Sequence, residues 1–169
     1  MERPIWLIGM MGSGKSTVAP LVAAALDSEW ADADSIIEEE AGRSISELFG
    51  ESEASFRAVE VDVIRTLAGG HAVVATGGGA VMTEAAGIMR DSGVVVWLRA
   101  TIDTLRGRIG SGSERPLLAN GLAAIEQIDG RRRDRYAAVA DVVVDTDDRT
   151  PQEVADLVVA AWTNESSRR

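Results

Sequence analysis

Eight consecutive residues, Gly9-Met10-Met11-Gly12-Ser13-Gly14-Lys15-Ser16, fit the pattern G-x-x-x-x-G-K-[S/T] without a mismatch. That spacing suits one task, the cradling of a chain of phosphates. The glycines let the backbone curl until several N–H groups point into one anion-sized hollow. Lys15 offers a compact ammonium to the β- and γ-phosphates and is read as a mobile charge at the loop surface. The Ser16 hydroxyl is placed to ligate Mg²⁺. Lys15 is also the only lysine in the chain. A short apolar run, Pro4-Ile5-Trp6-Leu7-Ile8, leads into the loop as a buried parallel strand would. A helix from about Ser16 to Leu26 follows and sets its positive end beneath the phosphates. Pro20 is read as lying in its first turn, where early amides lack partners anyway. The expected ligand is a nucleoside triphosphate.

Two carboxylates come next. In Trp30-Ala31-Asp32-Ala33-Asp34 the acids stand two apart, and in an extended chain such residues point the same way. One could hold Mg²⁺ through water while the other orients or deprotonates an attacking hydroxyl. Alternatively, Asp34 caps a helix beginning near Ser35, or both acids are solvated turn residues. Thr76-Gly77-Gly78-Gly79-Ala80 either bares backbone N–H groups to a ligand or makes an ordinary tight turn. Arginines form the third group: Arg57 beside Phe56, Arg115 after the flap-like Gly110-Ser111-Gly112-Ser113-Glu114, and the run Arg131-Arg132-Arg133-Asp134-Arg135 before Tyr136. Their forked donors grip carboxylate or phosphate. Most of the sixteen arginines are expected simply to be solvated. His71, the single histidine, is read as structural.

The elements that must position these groups follow from patterning. At 169 residues and 46% apolar content the chain reads as one globular domain, residues 1–163, with a frayed tail over 164–169. It has no cysteine, which excludes disulfides and thiolate metal sites and agrees with a cytoplasmic protein. No run approaches membrane-spanning length, and no signal-peptide layout opens the chain. A net charge of −10 argues against nucleic acid as partner. Between Arg99 and Arg135, however, eight arginines face five acids, so positive charge is concentrated there.

Near-continuous apolar segments at Glu29–Ala31, His71–Thr76, Gly93–Leu98 and Asp141–Val144 read as interior strands of a parallel sheet. Ser44 and Glu47 form a capping box opening a short helix. Ser52 to Leu67 sets Phe56, Val59, Val63 and Leu67 on one helical stripe. Thr101–Ile109, Leu122–Val139 and Pro151–Trp162 complete the helices. Strands alternating with helices give an α/β fold with ligands at the carboxyl ends of the strands.

The chain resembles the shikimate kinases. The resemblance rests on Gly9–Ser16, Asp32-Ala33-Asp34 with Ile37-Glu38, Gly42-Arg43-Ser44-Ile45, Phe56-Arg57 with Glu60, Gly77-Gly78-Gly79-Ala80 and Arg115-Pro116-Leu117-Leu118, in that order and almost end to end. It implies a P-loop kinase fold: a five-stranded parallel sheet in the order 2-3-1-4-5, helices on both faces, and a mobile lid over residues 110–122. It implies transfer of the γ-phosphoryl of ATP to the 3-hydroxyl of shikimate with Mg²⁺, by a cytoplasmic monomer in aromatic amino-acid biosynthesis.

By position, the resemblance makes Gly12, Ser13, Gly14, Lys15, Ser16 and Thr17 nucleotide contacts. It makes Asp34, Arg57, Gly78, Gly79 and Arg132 shikimate contacts, Arg115 the lid arginine at the phosphates, Ser16 and Asp32 the metal ligands, and Arg108 and Pro151 the walls around adenine. Lys15, Asp34 and Arg115 are then the catalytic set. Asp134-Arg135 replaces the family's usual Pro-Leu before the tyrosine, which leaves Arg131, Arg133 and Arg135 as rivals to Arg132. Kinases for a related cyclohexene or cyclitol acid, or for gluconate, are alternatives, as is a nucleotide-driven switch without a small-molecule acceptor.

Overall fold

Strand β1, Ile5–Ile8, is buried along its whole length and is the axis of the sheet. The structure is a computed structural model describing residues 3–70, 72–109 and 122–166. β1 lies between β3 (Val73–Ala75) and β4 (Val94–Arg99), with Ile5 opposite both Val73 and Val94. β2 (Trp30–Asp32) adds outside β3 and β5 (Val142–Asp145) outside β4, all parallel, giving the order β2-β3-β1-β4-β5. β2 and β5 are therefore edges and not interior strands, which is why Trp30 and Val143 are exposed despite their apolar neighbours.

Period-two alternation divides β1 between two cores. Ile5 and Leu7 pack with Val18, Val22, Val154 and Val158 of helices α1 (Lys15–Ala25) and α8 (Pro151–Ser166). Trp6 and Ile8 face the opposite layer, built by α2 (Ala33–Ala41), α3 (Ile45–Glu51), α4 (Glu53–Leu67), α5 (Ala85–Ser92), α6 (Ile102–Ile109) and α7 (Leu122–Val139). Apolar side chains on both faces explain the continuous hydrophobic runs of β1 and β4.

Several boundaries differ from the sequence reading. α1 begins at Lys15, so Pro20 sits in its second turn, where it withholds the amide that would bond back to Ser16. α4 turns Glu60 inward and leaves Val59 exposed, so the stripe is Phe56, Glu60, Val63 and Ile64. A charged residue can take that inward place because Arg57 supplies its counter-charge. α5 was not anticipated. The tail does not fray at 164: α8 continues through Asn164, Glu165 and Ser166, with no Gly or Pro after Trp162 to stop it. His71, residues 110–121 of the expected lid, Arg115 among them, and residues 167–169 lie outside the described residues.

Candidate active site

The loop between β1 and α1 is built as its spacing requires. Gly14 takes the left-handed conformation, φ 99°, as the residue preceding α1, and its carbonyl accepts the amides of Thr17 and Val18 at 3.1 and 2.9 Å. Only glycine reaches that conformation without a Cβ penalty. Lys15 is not the surface charge expected of it. It is 8% exposed, and its ammonium folds back to donate to the carbonyls of Gly9 at 2.8 Å and Met10 at 2.9 Å.

Asp32, at the end of β2, touches the loop directly. Its Oδ2 accepts the Ser16 hydroxyl at 2.5 Å, and its Oδ1 accepts the amides of Asp34 and Ser35 at 3.0 and 3.3 Å. The helix cap is therefore Asp32, not Asp34, because α2 starts at Ala33 rather than near Ser35. Asp34 is left in the first helical turn with its carboxylate toward Gly77. Ser16 and Asp32 together present hard oxygen donors, the set suited to a small divalent cation completed by phosphate oxygens and water. Among the described residues no group of three or more His, Cys, Asp or Glu could hold a metal alone.

The opposite wall carries the arginines. On α4 the Arg57 guanidinium donates to Glu60 Oε2 at 2.8 Å and lies 5.1 and 5.5 Å from the ring centres of Phe56 and Phe49. That clamp fixes a long side chain that would otherwise be mobile. Glu60 is fully buried, and its other oxygen, Oε1, has no hydrogen-bond partner among the described residues. Burial pushes its carboxyl above the ordinary range; Arg57 and Arg132 oppose the shift and Asp34 adds to it. A Cβ on Gly77 would stand 2.5 Å from Glu60 Oε1 and 2.8 Å from Asp34 Oδ1, and one on Gly79 would run 2.5 Å from Arg57 Cζ. Consecutive glycines are thus what allow acids and arginines to crowd this backbone.

Of the four candidate arginines on α7, Arg132 is the one that faces the site. It is buried, lines the cavity, and its Nη1 lies 3.3 Å from where a Gly78 Cβ would be. Arg133 turns away to Asp129 at 2.8 Å and to the face of Trp97, while Arg131 and Arg135 are exposed. On the nucleotide side, Arg108 at the end of α6 donates to the hydroxyl and carbonyl of Thr146 at 2.9 and 2.6 Å. Pro151 opens α8 across from it, and Thr150 with Glu153 makes a second reciprocal cap there.

All these groups line one cavity of about 1010 Å³: the phosphate loop with Asp32, then Asp34, Arg57, Arg132 and Gly77–Gly79, then Arg108 and Pro151. Thr146, Tyr136 and the inward turn of Glu60 were not anticipated. The acid three positions after Arg57 was the available signal for Glu60, since such residues adjoin on a helix. Nothing in the sequence marked Thr146.

The arrangement has an anion-binding loop and a cation-suited oxygen pair on one side. Across from them stand a carboxylate and two fixed guanidiniums. It defines the class: a phosphate-loop kinase with a small-molecule acceptor pocket. The family model for shikimate kinase matches residues 11–163. The chain is 42% identical over 157 residues to a shikimate kinase of Salinispora arenicola, covering 91% of this chain and 94% of that one. It is 39% identical over 163 residues to one of Vibrio vulnificus, covering 94% and 95%. Among solved structures, shikimate kinase from Acinetobacter baumannii in complex with shikimate superposes with a TM-score of 0.91 at 30% identity, covering 96% and 94%. A gluconokinase from Sinorhizobium meliloti, with a TM-score of 0.64 at 15% identity and 99% and 95% coverage, shares the fold alone. The chain belongs to the shikimate kinase family.

Proposed function

We propose that this chain transfers the γ-phosphoryl group of ATP to the 3-hydroxyl of shikimate, giving shikimate 3-phosphate and ADP. The observation that carries the reading is the sharing of one cavity by Lys15 and Asp34, with Arg57 and Arg132 held beside three bare glycines. In the reaction an O–P bond forms at the acceptor hydroxyl, the bond from Pγ to the β,γ-bridging oxygen breaks, and the hydroxyl proton leaves to Asp34.

Each part has its own task. The loop amides from Gly12 to Thr17 hold the phosphates, and Lys15 exchanges its loop carbonyls for the γ-phosphoryl oxygens, where charge develops. Asp34 orients the hydroxyl and accepts its proton. Arg57 and Arg132, with the Gly78 and Gly79 amides, grip the acceptor carboxylate. Ser16 and Asp32 would hold Mg²⁺, which when bound neutralises phosphate charge. Arg108 and Pro151 flank adenine, and Arg115 meets the phosphates from residues 110–122.

The reading takes the protein to be a cytoplasmic monomer of one domain with a lid, acting on small molecules and not on nucleic acid. Among the described residues no helix is long and apolar enough to cross a membrane.

The test is a screen of acceptors by ATP-dependent ADP release, with shikimate, an amino-substituted shikimate, quinate, gluconate and no acceptor. Shikimate-dependent release with phosphate on the 3-oxygen, read by ³¹P and ¹H NMR, supports the proposal. Faster turnover of another acceptor, or equal hydrolysis without one, would overturn it.

A further inference from the structure

One buried polar group joins two parts of the acceptor wall and has no role yet. Tyr136, on α7, is fully buried, and its hydroxyl lies 2.6 Å from the Gly78 carbonyl. The Arg132 guanidinium stands near the same hydroxyl, its charge opposing the rise in the phenol's pKa. A carbonyl only accepts, so the phenol donates to Gly78. The proton of the phenol is therefore committed to a peptide that lines the cavity. The ring has no freedom to leave: it stacks on Trp97 with centroids 5.6 Å apart and planes 28° from parallel. Arg99 and Arg133 in turn lie 5.7 and 5.9 Å from the Trp97 ring centre.

The Gly78 carbonyl belongs to the same planar unit as the Gly79 amide. In a trans peptide these two groups point in opposite directions, and no described peptide is cis. Holding the carbonyl against Tyr136 therefore turns the Gly79 N–H the other way. That N–H donates to no described residue, and Gly79 lines the cavity. On either side stand Arg132, near Gly78, and Arg57, against Gly79. Three donors thus converge, and the phenol sets the direction of one of them. Burial pushes the Tyr136 hydroxyl up to about 12, so it keeps its proton at any working pH.

We propose that Tyr136 is a positioning residue for the acceptor: through its hydrogen bond to the Gly78 carbonyl it aims the Gly79 amide at the acceptor's anionic group. The inference rests on the acceptor reading above. Tyr136 does not touch the acceptor; it acts through the Gly78–Gly79 peptide. It follows that acceptor affinity depends on the hydroxyl, whereas nucleotide affinity does not.

The experiment compares wild type with Tyr136→Phe, which keeps the ring and its stack on Trp97 and removes only the hydroxyl. KM for shikimate should rise about ten-fold with kcat within about three-fold and KM for ATP within about two-fold, as expected on losing a buried hydrogen bond that acts on one substrate. An unchanged KM for shikimate, or an equal rise in both KM values, would overturn the proposal. Replacing Tyr136 by 4-aminophenylalanine restores a donor on the same ring and should recover most of the loss; behaviour like the Phe variant would count against it.

Without substrate, the Gly79 amide resonance should move in Tyr136→Phe while those of Gly42 and Gly87 stay, and an unmoved Gly79 would again count against it. If Tyr136→Phe does not fold, the 4-aminophenylalanine protein carries the test: near wild-type KM and glycine resonances support the proposal, and a ten-fold rise in KM refutes it. Should wild type leave shikimate unphosphorylated, the acceptor reading fails. The glycine resonances then still decide whether Tyr136 sets the peptide.

Discussion

Asp34 and Glu60 crowd the same glycine from two helices, yet their surroundings give them different work. Asp34 lies in the first turn of α2 beside the phosphate loop, whereas Glu60 is sealed beneath Arg57. Because burial raises the Glu60 carboxyl above its ordinary 4.5, the folded state holds its proton more tightly than the unfolded state does. Its contribution to stability is then greatest at low pH and declines as pH rises from 4.5 through the raised value. Urea unfolding of wild type and Glu60→Gln across that range should show wild type losing ground to the variant as pH rises; a flat difference would refute it.

Lys15→Met should lower kcat by about 10²-fold or more, by analogy with removing one preorganised donor. The same substitution should also cost about 1–3 kcal/mol of stability in chemical denaturation, since the Gly9 and Met10 carbonyls lose their donor. Near-normal turnover would contradict the phosphate-loop role. Asp34→Asn should nearly abolish turnover with MgATP affinity kept, and Asp32→Asn should raise the Mg²⁺ requirement, both read from titrations of rate against metal. The reverse pattern would exchange their roles. At this scale the sequence was legible where spacing carries geometry, as in Gly9–Ser16. It was opaque where partners are remote, as with Thr146, and only the family resemblance picked Arg132 out from its neighbours.

Elements were legible where local chemistry sets their ends. The Ser44–Glu47 capping box is present in full, with the Ser44 amide donating to Glu47 at 2.9 Å and the Glu47 amide to Ser44 Oγ at 3.3 Å. Ser44→Ala should therefore cost about 1 kcal/mol, read as a lower Tm, and no change would mean α3 is held by packing alone. The capped loop matters to the site because Glu38 accepts the Ile45 amide at 2.8 Å, and Glu38, Ser44 and Ile45 all line the cavity. Less legible were elements whose phase depends on a neighbour. Periodicity favoured Val59 on the inner face of α4, but the Arg57–Glu60 pair outweighs the spacing of apolar residues. α5 is eight residues long with Gly87 within it, too short and interrupted to show a helical period. Pro20 marked a helix beginning, although the loop had already started α1 at Lys15.

Across the whole molecule, the parallel strands bring the loop, carboxylate and glycine groups to one end, where helices add Arg57, Arg108 and Arg132. β1 leads to the phosphate loop, β2 to Asp32 and Asp34, β3 to Gly77–Gly79, and β5 to Thr146. The strand order itself came from resemblance, because apolar runs alone made edges and centre look alike. Charge is divided the same way. The chain carries −10 overall, yet Arg57, Arg108 and Arg132 line the cavity with Lys15. Under the proposed function, phosphates are served by the loop and Lys15, and Arg57 and Arg132 are left for a second anion on the acceptor. Neutralising that anion would take their substrate partner from the buried Arg132 and from an Arg57 that keeps its pair with Glu60, at a cost of about 2–5 kcal/mol. The most direct measurement is therefore kcat/KM for shikimate against its methyl ester in the wild-type protein. The account predicts that the acid is preferred by about 30- to 5,000-fold, in keeping with that cost. An ester that reacts as well as the acid would contradict the carboxylate grip and the acceptor it identifies.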